Sequence, residues 1–299
     1  MKKLLAYLSN WIRMPVRVRD METRLERLTF DVGCVQARLA AAGQKDGGFP
    51  GAAEFQVFSQ AGDDGILQHM VHHVPIAEKF FVEFGIQNYR ESNTRFLLLK
   101  DNWRGLVMDG SAKDIARVKQ DPLYLRHDLA AACEFITAAN INALLQRHVP
   151  GRQIGLLSID IDGNDYWIWK AIDSVEPAIV VTEYNHRFGP ERAVTIPYRP
   201  DFVRPERHAT RICYGASLKA LWLLAQQKGY DLVACNRYGN NAFWVKTDLR
   251  PAAIAALRPE QAFVAGQFRE AWDESGEPLR PEQEQALLRG LELVEVDGR

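Results

Sequence analysis

Two apolar runs near residue 240 limit the possible folds more than any other feature. YDLVACNR (230–237) and NAFWVKTD (241–248) both read as strands, and only Tyr238, Gly239 and Asn240 separate them. A parallel crossover needs a dozen or more residues, so the pair must be an antiparallel hairpin. Upstream, five β-rich runs alternate with helical stretches: KFFVEFG (79–85), RGLVMDG (104–110), YLRHDLA (124–130), GLLSIDID (155–162) and AIVVTEY (178–184). TRFLLLKDN, SAKDIARVKQ and ITAANINALLQRH lie between them. This alternation predicts βαβ units around a parallel sheet. Residues 55–250 are therefore expected to form an α/β domain with a doubly wound, Rossmann-like, mostly parallel sheet closed by an antiparallel hairpin, a finish that few common folds share.

Composition narrows the partners. With 37 basic against 38 acidic residues and a net charge of -1, the whole-molecule field is too weak to attract nucleic acid. Cys34, Cys133, Cys213 and Cys235 stand singly, without zinc or disulfide spacing, which fits a reducing cytoplasm. The start, MKKLLAYLSNWIRMP, has an apolar run broken by Ser9, Asn10 and Arg13 and no small-residue cleavage site, so the reading is not a secretory signal. No run reaches the roughly 18 apolar residues of a membrane span.

The first 42 residues read as an arm. Leu4, Leu5, Leu8, Trp11 and Ile12 share one side of a segment carrying Lys2, Lys3 and Arg13, the pattern of an interfacial helix, which Pro15 is expected to interrupt. Met21, Leu25, Leu28, Val32, Val35 and Leu39 then repeat at 4-3-4-3-4 spacing, extendable back to Val18 and Met14, as in the a/d seam of a coiled coil. Homo-oligomerisation through the seam and packing of the helix on its own domain both remain open, as does peripheral contact with the inner face of an anionic membrane. Residues 43–54, small and Gly-rich, read as a linker, and the Pro-punctuated residues 251–299 as a helical extension.

Ligands of doubly wound sheets bind beyond the carboxyl ends of the strands. In this reading those ends carry Glu83, Asp109, Asp128, Asp160 with Asp162, and Glu183. A dinucleotide site would want GxGxxG after the first strand, where this chain has GIQNYRESNT with a single glycine. A cofactor without phosphate, bearing a sulfonium, a ribose diol and an amino-acid head, suits carboxylates better. S-adenosylmethionine is such a cofactor, and Asp109 stands where its diol would be held.

SQAGDDGIL (59–67), FVEFGIQNYRESNTRFLL (81–98), WRGLVMDGS (103–111) and LLSIDIDGNDYWIWKAI (156–172) together resemble the FkbM-type S-adenosylmethionine-dependent methyltransferases, particularly a bacterial glycan-associated branch. The resemblance covers roughly residues 55–248. It implies that Glu83, Gly85, Ser92, Asn93 and Thr94 contact the amino-acid part of the cofactor. By the same resemblance Asp109, with Gly110 beside it, holds the ribose, Asp128 lies near the adenine and Gln60 closes over the cofactor. The chain carries Asn88 and Tyr89 where a second glycine is common in that family, which implies bulk beside the cofactor.

Methyl transfer to a hydroxyl needs an oriented acceptor and a base. Asp160, Asp162, Glu183 and His186 fall at the ends of adjacent strands; His186 or Asp160 is the expected base, while Asp162 in DIDGND also reads as a turn former. Asp160, Asp162 and Glu183 could instead bind Mg²⁺. His69 and His73 have helical i, i+4 spacing, but no third metal ligand is evident. The long segment from Asn185 to Cys213 carries Arg187, Arg192, Arg199, Arg204, Arg207 and Arg211 among Phe188, Tyr198 and Phe202. Such a loop suits an acidic, phosphorylated or nucleotide-linked sugar, with Tyr184, Asn185, Arg187, Tyr198 and Arg199 as candidate acceptor contacts. The expected activity is O-methylation of a sugar or glycan hydroxyl in cell-surface polysaccharide or related biosynthesis. A non-catalytic scaffold of the same fold, and a nucleotide-sugar transferase, are the competing readings.

Overall fold

The computed structural model describes residues 2–43, 48–207, 210–268, 271–273 and 275–298, with the side chains at 1–13, 15, 19, 205, 207 and 281 left undescribed. The chain runs α1 (Lys2–Gly43), α2 (Asp63–His73), β1 (Phe80–Phe84), α3 (Arg95–Asp101), β2 (Arg104–Asp109), α4 (Ala112–Gln120), α5 (Pro122–Arg126), β3 (Leu129–Cys133), α6 (Ile141–His148), β4 (Leu156–Ile159) and α7 (Asp165–Ala171). It continues through β5 (Ile179–Glu183), β6 (Val194–Thr195), α8 (Arg204–Arg207), α9 (Leu218–Lys228), β7 (Tyr230–Cys235), β8 (Asn241–Lys246), α10 (Pro259–Ala262), α11 (Pro281–Gly290) and β9 (Val294–Glu295).

Seven strands form one sheet in the order β3-β2-β1-β4-β5-β8-β7. The first five are parallel, and β8 lies antiparallel between β5 and β7, as the short connection demands. Alternate side chains of β1 feed opposite cores. Phe80, Val82 and Phe84 pack in the cluster that holds α6, α7 and α9, and Phe81 packs with α2, α3 and α4. Helices on both faces explain why the strands are apolar throughout rather than alternating.

The fourth predicted strand boundary and the third differ in quality. GLLSIDID gives β4 in place, but YLRHDLA is half helix: α5 occupies Pro122–Arg126 and β3 begins only at Leu129. Pro122 sits in the first turn and the Asp121 side chain accepts from Leu123 N at 2.9 Å, a proline-and-cap start that overrides the β-prone Tyr124 and Leu125.

α1 does not stop at Pro15 but continues as one helix to Gly43. Its side chains at Leu4, Leu5, Leu8, Trp11 and Ile12 lie outside the described residues. Phe30, Cys34 and Ala37 pack with Phe55, Phe58 and Phe96, and Gly33 approaches so closely that a Cβ there would lie 2.4 Å from Val57 Cγ2. Glu26 pairs with the buried Arg95 at 2.9 Å. The helix is therefore docked on its own domain. No helix among the described residues is long and apolar enough to cross a membrane. The C-terminal residues are woven into the domain and are not solely helical: Ile254 and Ala262 are buried, α10 packs on β7, and β9 pairs with β6.

Candidate functional site

Register creates the site. Phe84 pairs with Met108 and with Ile159, and Ile159 pairs with Thr182. One residue further on, Asp109, Gly85, Asp160 and Glu183 stand in one row across the carboxyl ends of β2, β1, β4 and β5. Gly85 is the gap in that row. Its φ is +71°, and a Cβ there would lie 1.6 Å from the Asp160 carbonyl oxygen, so only glycine lets β1 and β4 approach this closely.

Two cavities open on either side of the gap. The larger, about 250 Å³, is bounded by Asp109, Gly110, Glu134, Phe135 and Ile136 on one side and Phe202, Val203 and Arg204 on the other. The smaller, about 130 Å³, is bounded by Gln60, Glu83, Asn88, Ser92, Asn93, Glu183 and Asn241. Gly85, Gln87, Asp160 and Asp162 face both. Together they form one bent groove along the row.

Glu83 organises the loop after β1. Its carboxylate accepts from Ser92 Oγ (2.7 Å), Asn93 N (2.8 Å), Thr94 N (3.2 Å) and Thr94 Oγ1 (2.5 Å). Burial raises its pKa, and those same donors oppose the shift. Tyr89, at φ +60°, turns its ring into the core, where its hydroxyl meets Thr94 Oγ1 at 2.9 Å. The bulk expected beside the cofactor is therefore absent at Tyr89, which borders neither cavity; Asn88 does border the smaller one.

Asp109 accepts from Gln87 N at 2.8 Å through Oδ2 and from Ser111 N at 2.7 Å through Oδ1. A carboxylate has about four acceptor positions, so each oxygen keeps capacity for a further bond beside the larger cavity that Asp109 borders, which suits a pair of vicinal hydroxyls. Gln60 is held over the smaller cavity by Asn240 Nδ2 at 3.1 Å. The buried Asp63 fastens the same turn to the hairpin, accepting from Asn236 Nδ2 and Asn241 Nδ2 at 2.7 Å each.

Asp160, Asp162 and Glu183 converge, with one ligand oxygen from each within 4.8 Å of the others. Among the described residues this is the one such group of three, and His69, His72 and His73 do not form another. Burial, followed by the charges of Asp162 and Asp165, raises the pKa of Asp160; burial and the charge of Asp160 do the same to Glu183. Glu183 is 7% exposed and its Oε2 has no hydrogen-bond partner. Asp162 sits at φ +57° and accepts from Arg204 Nη1 at 2.7 Å, while the Arg204 guanidinium stacks 3.6 Å above Tyr214. Burial works against the Arg204 charge, but Tyr214, Glu183 and Asp162 more than offset it, so its pKa is raised. The DIDGND turn is tied by Asp165, which accepts from Ile161 N and Gly163 N at 2.9 Å each. Asp162 is thereby freed to face the groove.

Several expected site residues lie elsewhere. Asp128 precedes β3 and is at the opposite edge of the sheet, 3.9 Å from Arg104; the acid that follows β3 and borders the groove is Glu134. His186 borders neither cavity. Its ring lies against Phe268 and Gly266, its Nε2 is buried without a partner, and burial, then the Arg187 charge, lowers its pKa to about 4. That corrects its expected place beside the carboxylates. Tyr184 and Asn185 are wholly buried, bonding respectively to Val264 O (2.8 Å) and to Ile212 O and Tyr214 O (3.1 and 3.0 Å). Arg187 is paired with Glu284. None of these three borders either cavity. Tyr198 accepts from Ala138 N at 3.0 Å and Arg199 is exposed, and neither borders the groove. The residues missed by sequence reading, Glu134, Phe135, Ile136 and Val203, share a weak signal: they lie on loops whose position depended on the misread third strand or on long-range folding of the Arg-rich segment, whose Phe202 was read only as a loop aromatic.

The sheet order, the antiparallel strand inserted beside β5 and the acid-lined groove at the β1/β4 switch point define a class I methyltransferase fold. No family model matches this chain, and neither does any curated protein. Among solved structures the chain is similar to an S-adenosylmethionine-dependent methyltransferase from Clostridium acetobutylicum, at 10% identity and TM-score 0.38 over 61% of this chain and 88% of that one. It is similar to the N-terminal domain of EvdMO1 with S-adenosylhomocysteine bound, at 10% identity and TM-score 0.40 over 63% and 80%. A third likeness is to the CurJ carbon methyltransferase, at 10% identity and TM-score 0.40 over 64% and 57%. The strand order and register carry the fold assignment; these likenesses add nothing about substrate.

Proposed function

We propose that the chain is an S-adenosylmethionine-dependent O-methyltransferase of the FkbM type whose acceptor is a sugar or glycan hydroxyl. The observation that supports this reading most is the row Asp109, Gly85, Asp160, Glu183, with the groove running along it. Asp109 would hold the ribose diol with its two remaining acceptor positions, and Phe135, Ile136 and Phe202 give the larger cavity apolar walls for a flat base, with Glu134 at its rim. The loop pinned by Glu83, with Gln60 opposite, would hold the amino-acid end. When bound, the cofactor supplies the methyl group.

The chain's own chemistry is to orient the acceptor and take its proton. Asp160 and Glu183 are the groups placed for it: both border the groove, and burial raises their pKa values, which makes each carboxylate a stronger base. His186 is turned away. A divalent cation such as Mg²⁺ suits the same three carboxylates, a hard oxygen donor set that includes Glu183, whose Oε2 makes no hydrogen bond. It would acidify the acceptor hydroxyl. Arg187 is buried in its pair with Glu284, and Arg204, though it borders the larger cavity, is paired with Asp162, so a neutral hydroxyl-rich acceptor suits the site as well as an acidic one.

Calorimetric titration with S-adenosylmethionine and S-adenosylhomocysteine tests the reading. Micromolar binding by the wild type, lost in Asp109→Ala, is expected. Absence of heat at millimolar ligand would overturn it and favour a non-catalytic role for the fold. Turnover with and without chelator separates the metal-free base from the metal-assisted one.

A further inference from the structure

The eight seam residues of α1 point away from the domain. Met14, Val18, Met21, Leu25, Leu28, Val32, Val35 and Leu39 are all 46–67% exposed, although they are the most regularly spaced apolar residues in the chain. A helix that packs only on its own domain would turn its apolar stripe inward. α1 instead docks through Glu26, Phe30, Gly33, Cys34 and Ala37, so it has two working faces, and at 100° per residue they lie roughly 150° apart. In heptad terms Val18, Leu25, Val32 and Leu39 occupy a, and Met14, Met21, Leu28 and Val35 occupy d. The docked residues fall at b, c and f, the outside of any coiled coil built on that seam.

We infer that the seam is the dimer interface of this protein, closed by the same seam of a second copy as a parallel, in-register, two-stranded coiled coil. The strict 3-4 repeat specifies a helix of matching period as the occupant, and a second copy supplies one. Flanking charges set the orientation. Arg17 falls at g and Glu22 at the e position five residues on, so in a parallel pair each Arg17 meets Glu22 of the other chain, twice by symmetry. The remaining g residues, Arg24, Asp31 and Arg38, face the uncharged Thr29, Gln36 and Gly43, so no like charges oppose one another. β-branched Val18 and Val32 at a, with Leu28 at d, favour two strands, in which the charged g positions stay at the wetted edge. A free helix of this length would associate weakly, but docking on the domain has already ordered α1 over the latter half of the seam, which lowers the cost of pairing. With the domains on the outer faces, the two sites lie on opposite sides of the coil. This inference is independent of the proposed activity.

Light scattering and equilibrium sedimentation of the full chain test it. The wild type is expected to have the mass of two chains, and Leu25→Asp with Leu28→Asp to have the mass of one with unchanged circular dichroism and thermal transition. Arg17→Glu and Glu22→Arg should each weaken self-association several-fold, and mixing the two should restore it, because only the parallel register brings 17 against 22. A wild-type mass of one chain at tens of micromolar overturns the inference, as does a mass of three or four chains. A dimer that survives the double Asp variant overturns the seam, and failure of the mixture to recover overturns the parallel register.

Discussion

β1 and β5 each bring a buried glutamate to the same edge of the sheet, and the two are treated in opposite ways. Glu83 is saturated by four donors from the loop that follows it. Glu183 keeps an unpartnered Oε2 and faces two other carboxylates. A buried acceptor with all its bonds made stabilises the chain, whereas one left without them costs free energy that folding alone does not return. Glu83 belongs to the scaffold that shapes the groove. Glu183 borders that groove with bonding capacity left over.

The comparison breaks most sharply under Glu83→Ala, which strands the Ser92, Asn93 and Thr94 donors in the interior. The expected loss is about 3 kcal/mol or more of unfolding free energy, measured by urea titration, together with cofactor binding. Glu183→Gln should leave the stability near neutral pH unchanged or higher while abolishing turnover; a stability loss as large as that of Glu83→Ala would erase the distinction between them. Gly85→Ala comes next. Its Cβ collides with the backbone of Asp160 and its φ is unfavourable, so about 1–3 kcal/mol is expected, with the groove narrowed and cofactor affinity reduced in the same variant.

Titration sharpens the contrast. Burial raises Glu183 above its usual value of 4.5, so between that pH and its native pKa the folded state holds the extra proton and stability falls as pH rises. Glu183→Gln should flatten that slope, gaining most on the wild type at the alkaline end. His186 has the reverse sign. Its pKa drops from 6.5 to about 4, so the folded state binds fewer protons in that window and stability is lost as pH falls through it. His186→Gln should reduce this acid loss and leave the methyl-transfer rate intact; a large fall in rate with unchanged stability would return His186 to the chemistry.

The smallest effects mark the edges of the site. Tyr89→Phe removes one buried hydroxyl bond to Thr94 and should cost about 1 kcal/mol with the cofactor affinity retained. Asp128→Ala, exposed at the far edge, should lie within about 0.5 kcal/mol of the wild type and leave cofactor affinity unchanged, whereas Glu134→Gln should lower it.

Four of the five parallel strands were legible because fully buried strands must be continuously apolar, and the hairpin was legible from the length of its connection. The third was misread because β3, LAAAC, has almost no β-branched or aromatic content, while the preceding YLR looked more strand-like than it is. Asp121-Pro122, a helix start, was the available signal. That slip moved Asp128 to the wrong end of the sheet and hid Glu134. His186 was misplaced for another reason: residues 263–268 return to cover it, and nothing local to His186 announces a segment almost 80 residues away.

By itself the sequence determined the alternation of strands and helices, the hairpin, the glycine at 85, the carboxylates at 83, 109, 160 and 183, and the heptad stripe on α1. Each of these follows from local chemistry, from chain length or from period. Only the tertiary structure decided which carboxylates are satisfied and which are not, that Arg204 neutralises Asp162 while Arg187 is committed to Glu284, and that α1 docks by the face opposite its stripe. Those outcomes depend on register between strands and on contacts across the whole chain, where a shift of one residue turns a side chain to the other face of the sheet.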